Sequence, residues 1–215
     1  RRQNAVEAIY HEEITRREMI DSLKSVPDLE RLLTRITTGA ASPREVTALK
    51  NGLESTARLK VLVEGTGSLQ PWLLQDLDPC HDVIALIQRA IEDSYVTKVA
   101  GPGTIKTGFS SELDELRSVS QSGREHIANL ERIERERTGI KSLKIGYNRV
   151  FGYYIEVSNP NLSQVPTDYT RRQTLVGGER FITPDLKEYE SMLLSAQERI
   201  EELENEIFRQ VCSRV

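Results

Sequence analysis

The sequence predicts a mainly α-helical fold with a small antiparallel β insert: a helical bundle, then a long antiparallel helix pair carrying a β-rich unit at its tip. Three observations predict it. Apolar residues recur at spacings of three and four over most of the chain, which is the helical period. Between Gly139 and Ile182 the period drops to two and tyrosines accumulate, which is the strand pattern. Charged residues make up 29% and apolar ones 38% of the 215 residues, a balance that favours an elongated helical protein over a compact enzyme.

The elements follow in order. Residues 1 to about 100 read as a helical bundle. Asp28–Gly39 places Leu29, Leu32, Leu33 and Ile36 on one face, with Gly39 as the stop. Ser42-Pro43-Arg44-Glu45 has the form of a capping box and opens a helix running through Leu62. Gly65-Thr66-Gly67-Ser68 reads as a loop, and a further helix from about Pro79 to Asp93 buries Val83, Ile84, Ile87 and Ile91. Tyr95–Phe109, broken by Gly101, Pro102, Gly103 and Gly108, is expected to be an extended connection. Its glycines follow no clear strand, so a phosphate cradle is not expected there.

A long helix is predicted from Ser111 to about Arg137, capped by Ser111 with Asp114, its seam formed by Leu113, Leu116, Val119, Ile127, Leu130 and Ile133. In the β insert, Leu143, Ile145 and Tyr147 alternate with polar or small residues, as do Tyr153, Ile155 and Val157. Asn148-Arg149 is expected to turn a first hairpin and Gly177-Gly178 a second. Thr183-Pro184-Asp185 then starts the return helix, whose seam is Leu186, Tyr189, Leu193, Ala196, Ile200, Leu203 and Ile207. Both ends of the sequence fall inside helical patterns, from which a piece of a longer protein is expected.

Charge is distributed unevenly. The net charge is −4, yet Gly139–Ile182 holds Lys141, Lys144, Arg149, Arg171, Arg172 and Arg180 against Glu156, Asp168 and Glu179. The insert is therefore net +3 and the rest of the chain −7, an arrangement that offers a polyanion one place to dock. The acidic runs Glu131–Glu136 and Glu198–Glu206 are expected to be solvated helix faces. Arg180 is expected to pair with Glu179 or Glu156. Tyr147, Phe151, Tyr153 and Tyr154 are expected to pack in the core of the insert. His11, His81 and His126 lack ligand spacing, and Cys80 and Cys212 are isolated thiols expected to stay reduced. No apolar run reaches the roughly 18–20 residues of a membrane span, and no signal-peptide pattern opens the chain.

The stretches ERERTGIKSLKIGYNRVFGYYIEVSN and VPTDYTRRQTLVGGERFITPDLKEYE resemble the clamp region of the MutS family of DNA mismatch-repair proteins, closely over residues 108–196. Residues 1–107 are similar to that family's helical core, or lever. The resemblance implies a lever domain over 1–107, a clamp domain over 108–196 with its β insert at 139–182, and a truncated return helix of the lever over 197–215. It also implies double-stranded DNA as the partner, held without sequence preference through backbone phosphates. In the whole protein it implies a homodimer, a MutL-type partner, an ATPase using ATP and Mg, and a bacterial cytoplasmic, nucleoid-associated location. This chain contains neither a Phe-x-Glu reader nor a G-x-x-x-x-G-K-[ST] loop, so no cofactor and no enzyme activity are expected of it.

The same resemblance assigns the DNA-approaching positions. Arg171 and Arg172 lie in one such stretch, and guanidinium forks suit phosphate oxygens. On a strand they would point to opposite faces, one towards DNA and the other into packing. Asn148 and Arg149 occupy one approaching loop and Thr174, Leu175, Val176 and Gly177 the other. Val176 stands where many relatives carry lysine, which weakens that loop's contact. Lys141 and Lys144 add general field. Two other function classes compete: a single-stranded RNA binder, imitated by Arg149-Val150-Phe151-Gly152-Tyr153 but failing at Val150 where glycine is expected, and a coiled-coil scaffold that binds protein through its basic tip.

Overall fold

The computed structural model describes residues 2–65, 77–93 and 101–215. It is mainly α-helical with one small four-stranded antiparallel sheet, the fold class expected. The chain divides into two compact units: Arg1–Phe109 with Leu203–Val215, and Ser110–Glu202.

The first unit holds α1 (Arg2–His11), α2 (Glu13–Lys24), α3 (Leu29–Thr37), α4 (Pro43–Gly65) and α5 (His81–Ala90). Asp28 starts α3 by accepting the Arg31 amide at 3.0 Å. Only Leu32 and Ile36 of its predicted face are fully buried, while Leu33 is exposed. Gly39 ends the helix at φ +71°, a left-handed backbone that glycine adopts without strain. The capping box forms as expected: Glu45 accepts from the Ser42 amide at 2.9 Å, and the Glu45 amide donates to Ser42 Oγ at 3.4 Å. Arg35 adds an ion pair at 2.6 Å. The Arg35 and Ser42 hydrogen bonds hold the Glu45 carboxyl down at about 2.

α4 continues past Leu62 to Gly65, so Gly65 is helical and not loop; Thr66–Ser68 lie outside the described residues. α4 packs against α2, α3 and α5. α5 is shorter than the expected Pro79–Asp93, because Ile91 leaves it in extended conformation and bridges to Ile105. Residues 101–109 are non-helical, as expected; 95–100 lie outside the described residues. The 101–105 turn is no bare loop. Glu204, fully buried, accepts the amides of Gly103 (2.9 Å), Thr104 (2.8 Å) and Ile105 (3.4 Å). The glycine turn thus cradles an anion after all, a carboxylate of this same unit, and the Glu198–Glu206 run is not wholly solvated. Burying a carboxylate is tolerated where backbone amides replace its water.

The second unit contains α6 (Ser111–Thr138), β1 (Lys144–Asn148), β2 (Gly152–Ser158), a 3-10 helix (Asn159–Gln164), β3 (Thr170–Thr174), β4 (Gly178–Ile182) and residues 184–202 of α7 (Pro184–Arg214). Ser110, not Ser111, caps α6, accepting the Leu113 amide at 3.4 Å. α6 and α7 run antiparallel, since Glu112 meets Arg199 and His126 stacks on Tyr189 at 3.9 Å. The α6 seam matches the predicted one at Leu113, Ile127 and Leu130 and departs from it elsewhere. Val119 and Ile133 are exposed, while Leu113, Ser120, Ile127 and Glu134 are buried at intervals of seven. At Gly123 a Cβ would stand 2.8 Å from Leu193, so the helices approach where α6 has no side chain. The α7 seam matches the expected one, with Leu186, Leu193, Ala196 and Ile200 buried here.

The sheet order is β1-β2-β4-β3, all antiparallel. One face carries Ile155, Val157 and Phe181 onto Ile127 and Leu130 of α6 and Leu186 and Leu193 of α7, joined by Ile140, Leu143 and Tyr169. Leu143, Ile155 and Val157 are fully buried, which fixes the register because a one-residue slip would expose them.

Candidate nucleic-acid interface

The first turn is Arg149-Val150-Phe151, one residue longer than the predicted Asn148-Arg149. Asn148 pairs with Gly152 across the ladder. The Asn148 Oδ1 accepts the amides of Val150 (2.8 Å) and Phe151 (3.3 Å), and Gly152 closes the turn at φ +76°. Asn148 therefore spends its oxygen on its own turn. Arg149 is exposed, and so are Val150, Phe151 and Tyr147. Core packing, expected for Tyr147 and Phe151, fails because they sit at and beyond the end of the strands that cover the helices. Tyr147 leans on Tyr153 (ring centroids 5.0 Å), and Tyr153 packs against the core.

The second turn is Leu175-Val176-Gly177, closed by the Leu175 amide on the Gly178 carbonyl at 2.8 Å. Gly178 belongs to β4, not to the turn as expected; a side chain there would strike the Val157 carbonyl oxygen. Asn159 braces the loop through its amide on Gly177 O (3.1 Å) and its Nδ2 on Val176 O (3.0 Å). Thr174, Val176 and Gly177 are exposed.

Strand register separates these two loops. Ser158 at the end of β2 faces Gly178, while Gly152 at its start adjoins the first turn. The loops therefore lie at opposite ends of the sheet, about 20 Å apart along β2 at roughly 3.4 Å per residue. The sequence-predicted positions form two groups and not one. Arg149 stands in the first turn, while Arg172 lies at mid-sheet, level with Ile155 and Glu156 of β2, and only its side chain shares a crevice with Phe151 of that turn. Lys141 lies at the second end, beside Ser142, whose hydroxyl is 3.0 Å from that of Ser158.

Arg171 and Arg172 are both exposed, so neither packs inside as expected of one of them. A register shift between Arg171 and Gln173 makes Arg172 the extra residue of a bulge. Arg171 stands opposite Phe181 and pairs with Glu179 at 3.3 Å. Arg172 and Gln173 instead line a small crevice with Phe151, Tyr154, Arg180 and Ile182, on the sheet face away from the helices. Arg180 pairs with Glu156 at 3.0 Å, one of the two partners expected, donates to Gln173 at 3.0 Å, and lies 4.1 Å over the Tyr154 ring. Tyr154 is flat on the sheet, its ring 2.6 Å from where a Gly146 Cβ would stand, so it too is outside the core.

A buried network missed by sequence reasoning braces the insert. Glu134, expected to be solvated, is buried and accepts from the Tyr169 hydroxyl at 2.7 Å and from Arg137 at 2.8 Å; Arg137 also reaches Asp168 at 3.0 Å. Burial and the Glu134 charge push the Tyr169 hydroxyl well above its usual range. Arg137 is thereby engaged. Among the described residues, Lys141, Lys144, Arg149 and Arg172 form no ion pair.

Residues 108–199, which span α6, the sheet and the start of α7, match MutS family domain IV. The chain belongs to the MutS family. It is 45% identical, over 97% of its length, to the DNA mismatch repair protein MutS of Methanothrix thermoacetophila, of which it covers 25%. It is 43% identical over its full length to that of Thermotoga maritima, covering 26% of it. For Symbiobacterium thermophilum the figures are 46% identity over the full length and 25% coverage. The chain spans about a quarter of the length of the curated relatives it matches. In the β insert of this MutS domain IV and at Arg137 just before it, the cations fall into two classes: Arg137, Arg171 and Arg180 are held in ion pairs, and Lys141, Lys144, Arg149 and Arg172 face solvent. Charges of the second class have no ion pair, among the described residues, that an incoming anion would first have to break.

Proposed function

We propose that this chain is the part of a DNA mismatch-repair recognition protein that holds duplex DNA without sequence preference, through backbone phosphates. The division is a lever over 1–107, a clamp over 108–196 and a return helix over 197–215. In the whole protein α7 would relay DNA contact to an ATPase, within a homodimer that engages a MutL-type partner in the bacterial cytoplasm. The observation that carries the reading is the set of exposed cations without internal ion pairs, Lys141, Lys144, Arg149 and Arg172, on a MutS domain IV. Thr174, Gly177 and Asn148 offer hydroxyl, backbone and amide donors, and Arg171 contributes once it leaves Glu179. The chain contains no G-x-x-x-x-G-K-[ST] loop to hold ATP phosphates, so no nucleotide chemistry is assigned to it.

The mechanism is counterion release. Each phosphate neutralised steepens the dependence of log K on log salt by about 0.9. Two to four contacts give a slope of roughly −2 to −4 and weak affinity for a single chain. The test is fluorescence anisotropy of a duplex of about 30 base pairs, matched and G·T-mismatched, across salt concentrations. Equal, salt-sensitive binding to both supports the reading. A preference for single strands would favour an RNA-type binder, and no binding at about 20 mM salt would favour the scaffold.

A further inference from the structure

The β1–β2 hairpin, which carries Lys144, Asn148 and Arg149, is held by carboxylates from both helices. β1 is the edge of the sheet. The outward amide of Ile145 donates to Glu131 Oε2 at 2.9 Å, and the Leu143 carbonyl accepts from Arg135 Nε at 2.7 Å. Glu131 and Arg135 are themselves an ion pair at 2.7 Å on α6. A neighbouring strand would offer the same things, an acceptor to one residue's N–H and a donor to the carbonyl two residues earlier. The α6 ion pair thus substitutes for a fifth strand and closes an edge that would otherwise invite pairing.

The second anchor is on α7. Tyr153 stands two residues before the β2–β4 ladder begins at Ile155–Phe181, and β4 ends at Ile182 before Thr183 caps α7. Its amide has no strand to receive it. Glu190 Oε1 accepts it at 3.0 Å and fills the space that a side chain at Gly152 would need. One carboxylate therefore grips each strand of the hairpin, one from each helix.

We propose that Glu131 and Glu190 are positioning residues for phosphate contact: they fix the hairpin on α6 and α7 and so hold Arg149 where it meets the DNA backbone. The inference rests on the DNA-holding function proposed above. Glu190→Ala is expected to weaken duplex binding roughly five-fold, the scale of one phosphate contact, and to make the salt slope shallower by about 0.9. Glu190→Gln keeps an acceptor oxygen and should bind as the unmodified chain does. In an Arg149→Ala background, Glu190→Ala should have no further effect, which a merely structural role would not produce. Losses that add across the two substitutions, or an unchanged affinity in Glu190→Ala, overturn the inference.

Amide exchange and backbone relaxation by NMR keep the test independent of DNA. Glu190→Ala should lose protection at Tyr153 and gain fast motion at 149–151, with the α6 and α7 amides unchanged. If the unmodified chain fails to bind duplex, the DNA reading falls and these NMR results alone decide the anchoring: an equally ordered 149–151 in Glu190→Ala overturns it. Should Glu190→Ala not fold, Glu131→Ala carries the same test through the Ile145 amide.

Discussion

The two hairpins of the insert share a topology and differ in chemistry. The first is gripped on both strands by helix carboxylates and turned by Asn148 and a left-handed Gly152. It projects a cation, Arg149, among exposed Tyr147, Val150 and Phe151. The loop of the second is braced by Asn159 on Gly177 and Val176, while α6 holds its strand only at the far end, through Tyr169 and Asp168; its most exposed residue is the uncharged Val176. One loop is built to hold a charge in place. The other can offer a polyanion only hydroxyl and backbone groups. Similar turns at the ends of one sheet thus need not make equal contributions to binding.

The largest expected break in this comparison is conformational. Gly152→Ala places a side chain at φ +76° and onto the Glu190 carboxylate. The left-handed backbone costs roughly 1–2 kcal/mol, and loss of the Glu190–Tyr153 hydrogen bond about 1 kcal/mol more. Gly177→Ala meets open space, at a backbone angle outside the left-handed region, and should stay within about 0.5 kcal/mol of the starting stability. Urea unfolding of the two variants measures the contrast. Equal effects would mean that the first hairpin is not anchored as described.

The second test separates cations by their engagement. Arg149→Ala with Arg172→Ala should flatten the salt slope by about 1.8 and lower duplex affinity by roughly 25-fold, taking about five-fold per contact. Arg171→Ala should do less than either single change, because Arg171 is paired with Glu179 and must give up that bond to reach a phosphate. Anisotropy titrations at four salt concentrations resolve the difference. An Arg171→Ala effect equal to that of Arg172→Ala would show that the Glu179 pair imposes no cost, as for many exposed ion pairs.

What the sequence made legible was local. Ser42 with Glu45, Gly39, and Thr183-Pro184 declare helix ends through side-chain and backbone chemistry contained within a few residues. The α6 seam was legible in part: Leu113, Ile127 and Leu130 are buried as expected, but close helix approach selects Ser120 and Gly123, and a hydrogen-bond network selects Glu134, at positions an apolar count skips. Glu134 and Glu204 read as solvent-facing for the same reason: their partners, Tyr169 and the 103–105 amides, come from distant sequence. For the candidate site, the excess of positive charge in the insert was plain. Its division between two ends of the sheet depends on the order β1-β2-β4-β3 and on the bulge at Arg172, which no local pattern encodes. Both turns were placed in the right segments with the wrong length: the first gains a third residue because Gly152 is left-handed, and the second shifts because Gly178 is taken into β4.

The smallest expected effect adds what the second hairpin lacks. Val176 is fully exposed, and its carbonyl, not its side chain, is what Asn159 holds. Val176→Lys therefore breaks no packing, and stability should change by less than about 0.5 kcal/mol. The ammonium would stand at the end of the sheet that holds Lys141, about 20 Å from Arg149. If a duplex lies against both ends, one more phosphate is neutralised: the salt slope steepens by about 0.9 and affinity at low salt rises a few-fold. If the duplex meets only the Arg149 end, the added charge acts through the screened field alone, and its benefit fades above about 0.1 M salt, where the Debye length falls to about 10 Å. Repeating the titration with Val176→Lys in an Arg149→Ala/Arg172→Ala background tells these geometries apart. A slope that still steepens by about 0.9 places a phosphate at the second loop. A slope left unchanged confines the contact to the first.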